Sequence, residues 1–203
     1  MNKSVTKSII IGLTGGIGSG KSTIAEVFNT LKIPVFNSDL EAKQLYSHPE
    51  IKQQIIKLFG NVYNEQNQLD KKALANIVFN DDEKLQQLNN IIHPAVKKLF
   101  ETWVNKNNQA PILIKEAAIL IESGAAKQVD KIIVVTAPKK ERIKRVMQRD
   151  NVSEKEVIVR MRKQLPEEKL ITHADFIIKN DNQHLVIPQI LDIVKKLNNT
   201  LIT

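Results

Sequence analysis

The sequence has 203 residues, a formal net charge of +8 and no cysteine, and its length indicates one domain that can carry small inserted subdomains. Without cysteine, the chain cannot form disulfides, bind iron–sulfur clusters or use a thiol nucleophile. Its apolar runs are too short for a bilayer, which takes about 20 residues, and no signal-peptide core follows the N-terminus. These features predict a cytoplasmic protein. The positive charge favours an anionic partner, either nucleic acid, a membrane surface or a phosphate-rich ligand.

The beginning of the chain alternates between strand and helix patterns. Ser8–Leu13 contains three consecutive isoleucines and is predicted as a buried strand. A helical pattern over Ser22–Leu31 and a short strand over Ile33–Phe36 follow. This order predicts a β-α-β unit and therefore a parallel sheet. We expect the second strand to lie beside the first, so that both carboxyl ends open onto one ligand site.

A helical insertion, Asp39–Asn107, separates these elements from the rest of the sheet. Ser38 and Glu41 have capping-box spacing, which predicts a helix that starts at Asp39. Another helix is predicted from Asp81 and Asp82 to about Ile92, and Pro94 then begins the next one. The later apolar segments are three strands and a terminal helix: Ile112–Ile114, Ile132–Val135, Phe176–Ile178 and about Leu185–Leu197.

A second insertion, Lys139–Lys169, is strongly basic and predicted to be helical. Pro138 starts one helix, and Ser153 caps the next. Arg142, Arg145 and Arg149 recur at spacings of three and four residues, so they share one helix face, and Arg160 and Lys163 follow on the next helix. Arginine suits the oxygens of a phosphoryl group in transfer. A solvated basic face is the alternative, and nucleic-acid binding is less favoured because aromatic residues are few.

The most specific motif is Gly15–Ser22, which matches G-x-x-x-x-G-K-[S/T] between a strand and a helix. Its glycines allow a tight turn whose amides point at a phosphate, and the helix that follows presents its positive end. Lys21 is placed to reach β- and γ-phosphate oxygens, Ser22 to ligate Mg²⁺, and Thr23 to bond the α-phosphate. The loop amides assigned to the nucleotide belong to Gly18, Ser19 and Gly20. The motif predicts nucleoside triphosphate binding.

The remaining motifs decide which class of nucleotide protein this is. The base-reading Asn-Lys-x-Asp and D-x-x-G motifs of guanine-nucleotide switches are absent. Ile112–Glu116 resembles a Walker B strand, because an apolar run ends in an acidic residue. The chain is short, however, and lacks other signals of motor ATPases. A small phosphotransferase therefore fits better, with Asp39 as candidate base. The alternative for Asp39 is an acid that favours the helix dipole. His93 and Glu122 are further candidates, with a cap or core histidine and a surface glutamate as their alternatives.

Taken together, these motifs resemble the dephospho-CoA kinase family over nearly the whole chain. Leu13–Thr23 is similar to that family's phosphate loop, and Asn37–Lys43 resembles its D-A-D-x-x-A-R segment, with Asn37 for the first aspartate and Lys43 for the arginine. The second aspartate of that segment, the family's catalytic base, is Asp39. The other similar segments are Leu69–Leu74 (L-D-R-x-x-L), Ile92–Pro94 (H-P), Ala118–Gly124 (P-L-L-F-E-x-G), Arg142–Lys169 (lid) and Ala174–Asn180 (donor-base contact).

The resemblance implies an α/β P-loop NTPase fold with three layers, a five-stranded parallel sheet, a helical acceptor insertion and a helical lid. It implies a core formed by 1–38, 108–139 and 170–203, an acceptor subdomain over 39–107 and a lid over 140–169. The implied reaction is the last step of coenzyme A synthesis, in which ATP phosphorylates the ribose 3′-hydroxyl of dephospho-CoA. Another small-molecule kinase, with a nucleotide or sugar acceptor, and a nucleic-acid-binding module remain as alternatives.

The resemblance also assigns roles to individual residues. The implied co-substrate is ATP with Mg²⁺ held by Ser22, and the implied partner is dephospho-CoA, with no nucleic acid, membrane or obligate protein partner. The residues that the resemblance implies in catalysis are Asp39, Lys21, Arg142 and Arg145. The nucleotide contacts are Gly18, Ser19, Gly20, Lys21, Ser22, Thr23 and Asn180. The acceptor contacts are Lys43, His93, Glu122 and Arg160.

Overall fold

The computed structural model describes residues 8–78 and 81–200. Predicted boundaries at 1 and 203, and residues 79–80 of the predicted insertion, lie outside these ranges. The strands are β1 (Ile9–Thr14), β2 (Val35–Asn37), β3 (Ile112–Glu116), β4 (Lys131–Thr136) and β5 (Phe176–Lys179). They form one sheet in the order β2-β3-β1-β4-β5, and every pairing in it is parallel. The predicted α/β class with a five-stranded parallel sheet is confirmed.

Strand β2 does not lie beside β1, so that part of the sequence prediction is wrong. Strand β3 sits between them and pairs with both. All five residues of β3 are buried, as an interior strand of a parallel sheet requires. Strand β2 has three residues and is partly exposed, which suits an edge position. On that side of β1, the neighbouring strand is therefore β3, and its carboxyl end is Glu116.

Helices occupy most of the remaining described residues. They are α1 (Lys21–Thr30), α2 (Ser38–Leu45), α3 (Pro49–Phe59), α4 (Lys71–Val78), α5 (Asp82–Lys106), α6 (Lys139–Asp150), α7 (Glu154–Arg162), α8 (Glu167–Ile171) and α9 (Val186–Thr200), with a short 3₁₀ helix at Ala125–Gln128. As predicted, Pro138 precedes α6, and Ser153 and Glu156 form a capping box at α7. None of the helices in the described ranges is long and apolar enough to cross a membrane.

By compactness, the chain divides into two units, of which one contains the sheet (residues 1–37 and 106–203) and the other is helical (38–105). The sheet unit has a core that includes Ile11 and Leu13 of β1 and Phe28 of α1, all fully buried. The helical unit has its own core around Ile55 and Leu74. The assignment of a separate lid over 140–169 stays a prediction.

Two details of the helical unit differ from the prediction. Helix α2 begins at Ser38 rather than Asp39, and the Ser38 hydroxyl is buried without a hydrogen-bond partner among the described residues, so the predicted capping box is wrong. Pro94 does not start a helix but lies inside α5, which has 25 residues. The buried side chains Leu88, Ile92 and Phe100 lie on both sides of Pro94. We infer that their packing offsets the hydrogen bond that proline removes.

Candidate active site

The phosphate loop leaves the carboxyl end of β1 and turns directly into α1. Gly18 and Gly20 have φ angles of 78° and 96°, in the left-handed region that glycine adopts without strain. A side chain on Gly18 would collide with the Arg142 backbone, and one on Gly20 with the Asn180 amide. The Ser19 amide donates to the Gly16 carbonyl oxygen at 3.1 Å, which closes the turn. The loop geometry thus depends on its glycines, as the motif predicts.

Lys21, the first residue of α1, is buried and folds back over this loop. Its Nζ donates to the Gly15 carbonyl oxygen at 2.7 Å and lies 3.4 Å from that of Gly16. The ammonium is therefore held at the phosphate loop by backbone oxygens. An incoming phosphate can replace these neutral acceptors with charged ones, which form stronger hydrogen bonds.

Ser22 is joined to the carboxyl end of the sheet through Glu116. The Ser22 hydroxyl donates to Glu116 Oε1 at 3.0 Å, and the Asn37 amide donates to Glu116 Oε2 at 2.8 Å. Glu116 is 3% exposed. Glu116 is a site residue that was not predicted, although its strand resembles a Walker B strand in sequence. The available signal was an acidic residue at the end of an otherwise apolar strand.

Arg142 of α6 packs directly against the phosphate loop. Its Nη1 donates to Glu167 Oε2 at 3.0 Å, and its side chain is 11% exposed. The same guanidinium lies so close to Gly16 that a side chain there would meet it. Its Nε is buried without a hydrogen-bond partner among the described residues. A nearly buried cation is thereby placed beside the loop, as the phosphotransferase hypothesis requires.

Arg145 and Asn180 connect the loop to the chain after β5. Arg145 Nη2 donates to the Asn180 carbonyl oxygen at 3.0 Å and to Asn182 Oδ1 at 3.1 Å. The Asn180 side chain in turn donates to the Ser19 carbonyl oxygen at 2.8 Å. Arg145 Nη1 is buried and lacks a partner within the described part of the chain. Both predicted residues thus lie at the phosphate loop.

Gln164 was missed as a site residue, and Glu122 has the surface position that was given as its alternative. The Ile17 amide of the phosphate loop donates to Gln164 Oε1 at 2.7 Å. Glu122 is exposed, and its Oε1 accepts from the Leu165 amide at 3.0 Å. The Gln164 contact holds the turn after α7 at the phosphate loop, and the Glu122 contact joins the same turn to the segment after β3. The sequence signal for Gln164 was its position in the lid-like segment.

Arg149 and Arg160 of the basic insertion share a carboxylate, Asp150. Arg149 and Arg160 both donate to Asp150, at 2.7 Å each for Arg149 Nε and Arg160 Nη1. These hydrogen bonds, with that of Arg149 the largest contribution, hold the pKa of Asp150 below its ordinary value. The structure therefore separates Arg149 and Arg160 from Arg142 and Arg145, which contact the loop region.

The helical unit carries the other three predicted residues. Asp39 is the second residue of α2, two positions after Asn37, and is half-buried. Lys43 is exposed in the last turn of the same helix. His93 is half-buried in α5, and burial lowers its pKa, which favours the neutral imidazole. The roles predicted for these residues stay predictions.

Comparison with known proteins agrees with this geometry. Residues 9–185 match the family model for dephospho-CoA kinase. The dephospho-CoA kinase of Bacteroides fragilis is 39% identical over 188 residues, which are 92% of each chain. Solved structures of TT1252 from Thermus thermophilus and of dephospho-CoA kinase from Campylobacter jejuni are 33% and 30% identical, with TM-scores of 0.86 and 0.68. Each covers 94% of this chain, which in turn covers 97% and 98% of theirs. This chain therefore belongs to the dephospho-CoA kinase family.

Proposed function

We propose that this protein transfers the γ-phosphoryl group of ATP to the ribose 3′-hydroxyl of dephospho-CoA, giving CoA and ADP, the final step of coenzyme A biosynthesis. Membership of the dephospho-CoA kinase family over residues 9–185 is the observation that carries the proposal. The phosphate loop supports it, because Lys21 and Ser22 occupy the positions that P-loop kinases use on a triphosphate. The cytoplasmic location predicted from the sequence stays a prediction.

ATP binding uses groups that the loop already presents. The amides of Gly18 and Gly20 and the N-terminus of α1 would face the β-phosphate, where the helix dipole favours negative charge. The Ser19 amide closes the turn onto Gly16 in this structure, so its contact with the nucleotide stays a prediction. Lys21 exchanges its carbonyl partners for β- and γ-phosphate oxygens. Asn180 holds the Ser19 carbonyl, which keeps this side of the loop in place while the phosphates bind.

The residues at Ser22 suit a magnesium ion. Ser22 and Glu116 supply the hard oxygen atoms that Mg²⁺ prefers. No group of three or more histidine, aspartate and glutamate side chains with metal-site spacing occurs within the described residues. Ser22 would hold such an ion together with the phosphates of the nucleotide and water. When bound, Mg²⁺ neutralises charge on the β- and γ-phosphates. Glu116 would orient the Ser22 hydroxyl by accepting its proton in a hydrogen bond.

The transfer itself needs a proton acceptor and charge stabilisation. The ribose 3′-oxygen bonds to the γ-phosphorus as the bond to the β–γ bridging oxygen breaks, and ADP leaves with that electron pair. Asp39 accepts the hydroxyl proton. Arg142 moves its hydrogen bond from Glu167 to the transferring phosphoryl group, whose charge it neutralises. Positioning and electrostatics therefore supply most of the rate acceleration.

A coupled ADP-release assay tests the proposed acceptor. Dephospho-CoA is compared with a panel of nucleosides, nucleotides and sugars at equal concentration, and CoA is identified by mass spectrometry. We expect acceptor-dependent ADP release with dephospho-CoA and formation of CoA. Faster turnover of another panel member would instead establish a different small-molecule kinase. Salt-sensitive binding to nucleic acid without acceptor-dependent ADP release would establish a nucleic-acid-binding protein.

A further inference from the structure

Gln189 of α9 forms hydrogen bonds with the edge of the sheet. Strand β5 is the last strand in the sheet order, so one side of its backbone has no neighbouring strand within the described ranges. The Lys179 amide of β5 donates to Gln189 Oε1 at 2.9 Å, and Gln189 Nε2 donates to the Lys179 carbonyl oxygen at 3.0 Å. One side-chain amide therefore pairs both backbone groups of Lys179, as a peptide group of a further strand would.

The Gln189 side chain is itself held in one orientation. Its Nε2 also donates to the Leu185 carbonyl oxygen at 3.0 Å. Exchanging its oxygen and nitrogen would place a donor against the Lys179 amide and an acceptor against two carbonyl oxygens, so only one orientation satisfies all these groups. The next residue, Ile190, is fully buried in the core of the sheet unit, which anchors this turn of α9. Gln189 is therefore a fixed support for the end of β5.

This support acts on the peptide bond that leads into Asn180. The Lys179 carbonyl belongs to that peptide bond, and its N–H group, the Asn180 amide, donates to the Thr136 carbonyl oxygen of β4 at 2.8 Å. Because a peptide bond is planar, partners on its two sides fix the orientation of the whole group. From there the Asn180 side chain donates to the Ser19 carbonyl oxygen of the phosphate loop at 2.8 Å. Hydrogen bonds thus connect α9 to the phosphate loop.

We propose that Gln189 is a positioning residue for nucleotide binding, which acts by holding Asn180 at the phosphate loop. The inference rests on the proposed function as far as ATP binding at that loop. The family model matches up to residue 185, so Gln189 lies outside the matched segment. Lys179 is exposed, and without Gln189 its carbonyl would turn toward water. Asn180 would then hold Ser19 less firmly, and ordering the loop would cost more when ATP binds.

Calorimetric titrations with ATP test this role with a matched control. Gln189→Leu keeps a side chain of similar size but removes all three hydrogen bonds of the amide. We expect it to weaken ATP binding about three- to tenfold. Asn198→Leu replaces an exposed amide on the same helix and should bind ATP like the wild type. In steady-state assays, Gln189→Leu should raise KM for ATP and leave KM for dephospho-CoA unchanged. Wild-type ATP affinity of Gln189→Leu, or an equal loss in Asn198→Leu, would overturn the proposal.

A double-mutant cycle separates an effect through Asn180 from a general loss of stability. If Gln189 acts through Asn180, Gln189→Leu should cause no further loss of ATP affinity in a protein that already carries Asn180→Ala, whereas additive losses would overturn the proposal.

Gln189→Glu keeps the proposal falsifiable if Gln189→Leu does not fold. The carboxylate still accepts from the Lys179 amide but has no donor for the carbonyl, so ATP binding should weaken here too, and wild-type affinity would overturn the proposal. A wild-type protein that binds ATP but releases no ADP with dephospho-CoA would refute the proposed function and leave the role of Gln189 standing.

Discussion

Replacing Glu116 by glutamine probes the link between the sheet and the phosphate loop. The Glu116 carboxylate accepts from Ser22 through one oxygen and from Asn37 through the other. A glutamine side chain has the same shape but only one oxygen, so one of these two donors then faces an NH₂ group. A hydrogen bond to a charged group contributes about 1.5–3 kcal/mol. The Ser22 hydroxyl consequently loses part of its fixed orientation.

This loss should appear as weaker Mg²⁺-dependent binding of ATP. Removing a group that orients a metal ligand costs about 10–100-fold in metal affinity or activity, which agrees with the hydrogen-bond energy above. Calorimetric titrations with ATP, one in Mg²⁺ and one in EDTA, give the factor by which the ion strengthens ATP binding. We expect Glu116→Gln to lower this enhancement and to leave ATP binding in EDTA unchanged, because Lys21 and the loop amides are intact.

Glu26→Gln is the matched control, since Glu26 is an exposed acid on α1, the same helix as Ser22. It removes one negative charge from the sheet unit without touching the loop. If Glu116→Gln and Glu26→Gln show the same Mg²⁺ enhancement as the wild type, Glu116 does not orient Ser22 toward an ion. Equal weakening in Mg²⁺ and in EDTA would also refute the reasoning, because the effect would then lie in the loop itself.

Asp39→Asn should lower kcat at least about 10²-fold with ATP affinity unchanged, because only the proton acceptor is lost; near-wild-type turnover in steady-state assays contradicts this. Arg142→Ala should lower kcat about 10²–10³-fold; if only the melting temperature falls, its guanidinium has a structural role alone. Hydrogen bonds from Arg149 and Arg160 depress the folded-state pKa of Asp150, so their contribution to stability is present above the unfolded pKa of about 4 and is lost as pH falls through the folded pKa. Urea denaturation between about pH 6 and pH 3 should therefore show a smaller loss of unfolding free energy for Asp150→Asn than for the wild type, and parallel losses would exclude this pair effect.

The features that the sequence predicted well are local ones. The phosphate loop is a contiguous motif, and the predicted strand, glycine turn and helix form there because each of these elements depends mainly on neighbours within a few residues. The capping box of Ser153 was predicted for the same reason. Strands were located to within about two residues, since runs of β-branched side chains carry a strong signal.

The features that were missed depend on contacts between distant parts of the chain. Glu116 is 94 positions from Ser22, and Gln164 is 147 positions from Ile17. Hydrophobic patterning identifies strands but not their order, so the insertion of β3 between β1 and β2 was not predicted. Local propensity favours Pro94 as a helix start, whereas tertiary packing on both sides keeps α5 continuous.

The strand order also has a consequence for the chain as it leaves the ribosome. Strands β1 and β2 do not pair with each other, and the earliest strand along the chain that pairs with either of them is β3, whose first residue is Ile112. The helical unit, in contrast, is a continuous stretch of sequence that is complete at residue 105. During synthesis this unit can therefore form its core first, while β1 and β2 stay unpaired until β3 has been made. Between the synthesis of β2 and that of β3, these strands are therefore available to a chaperone that binds exposed strands.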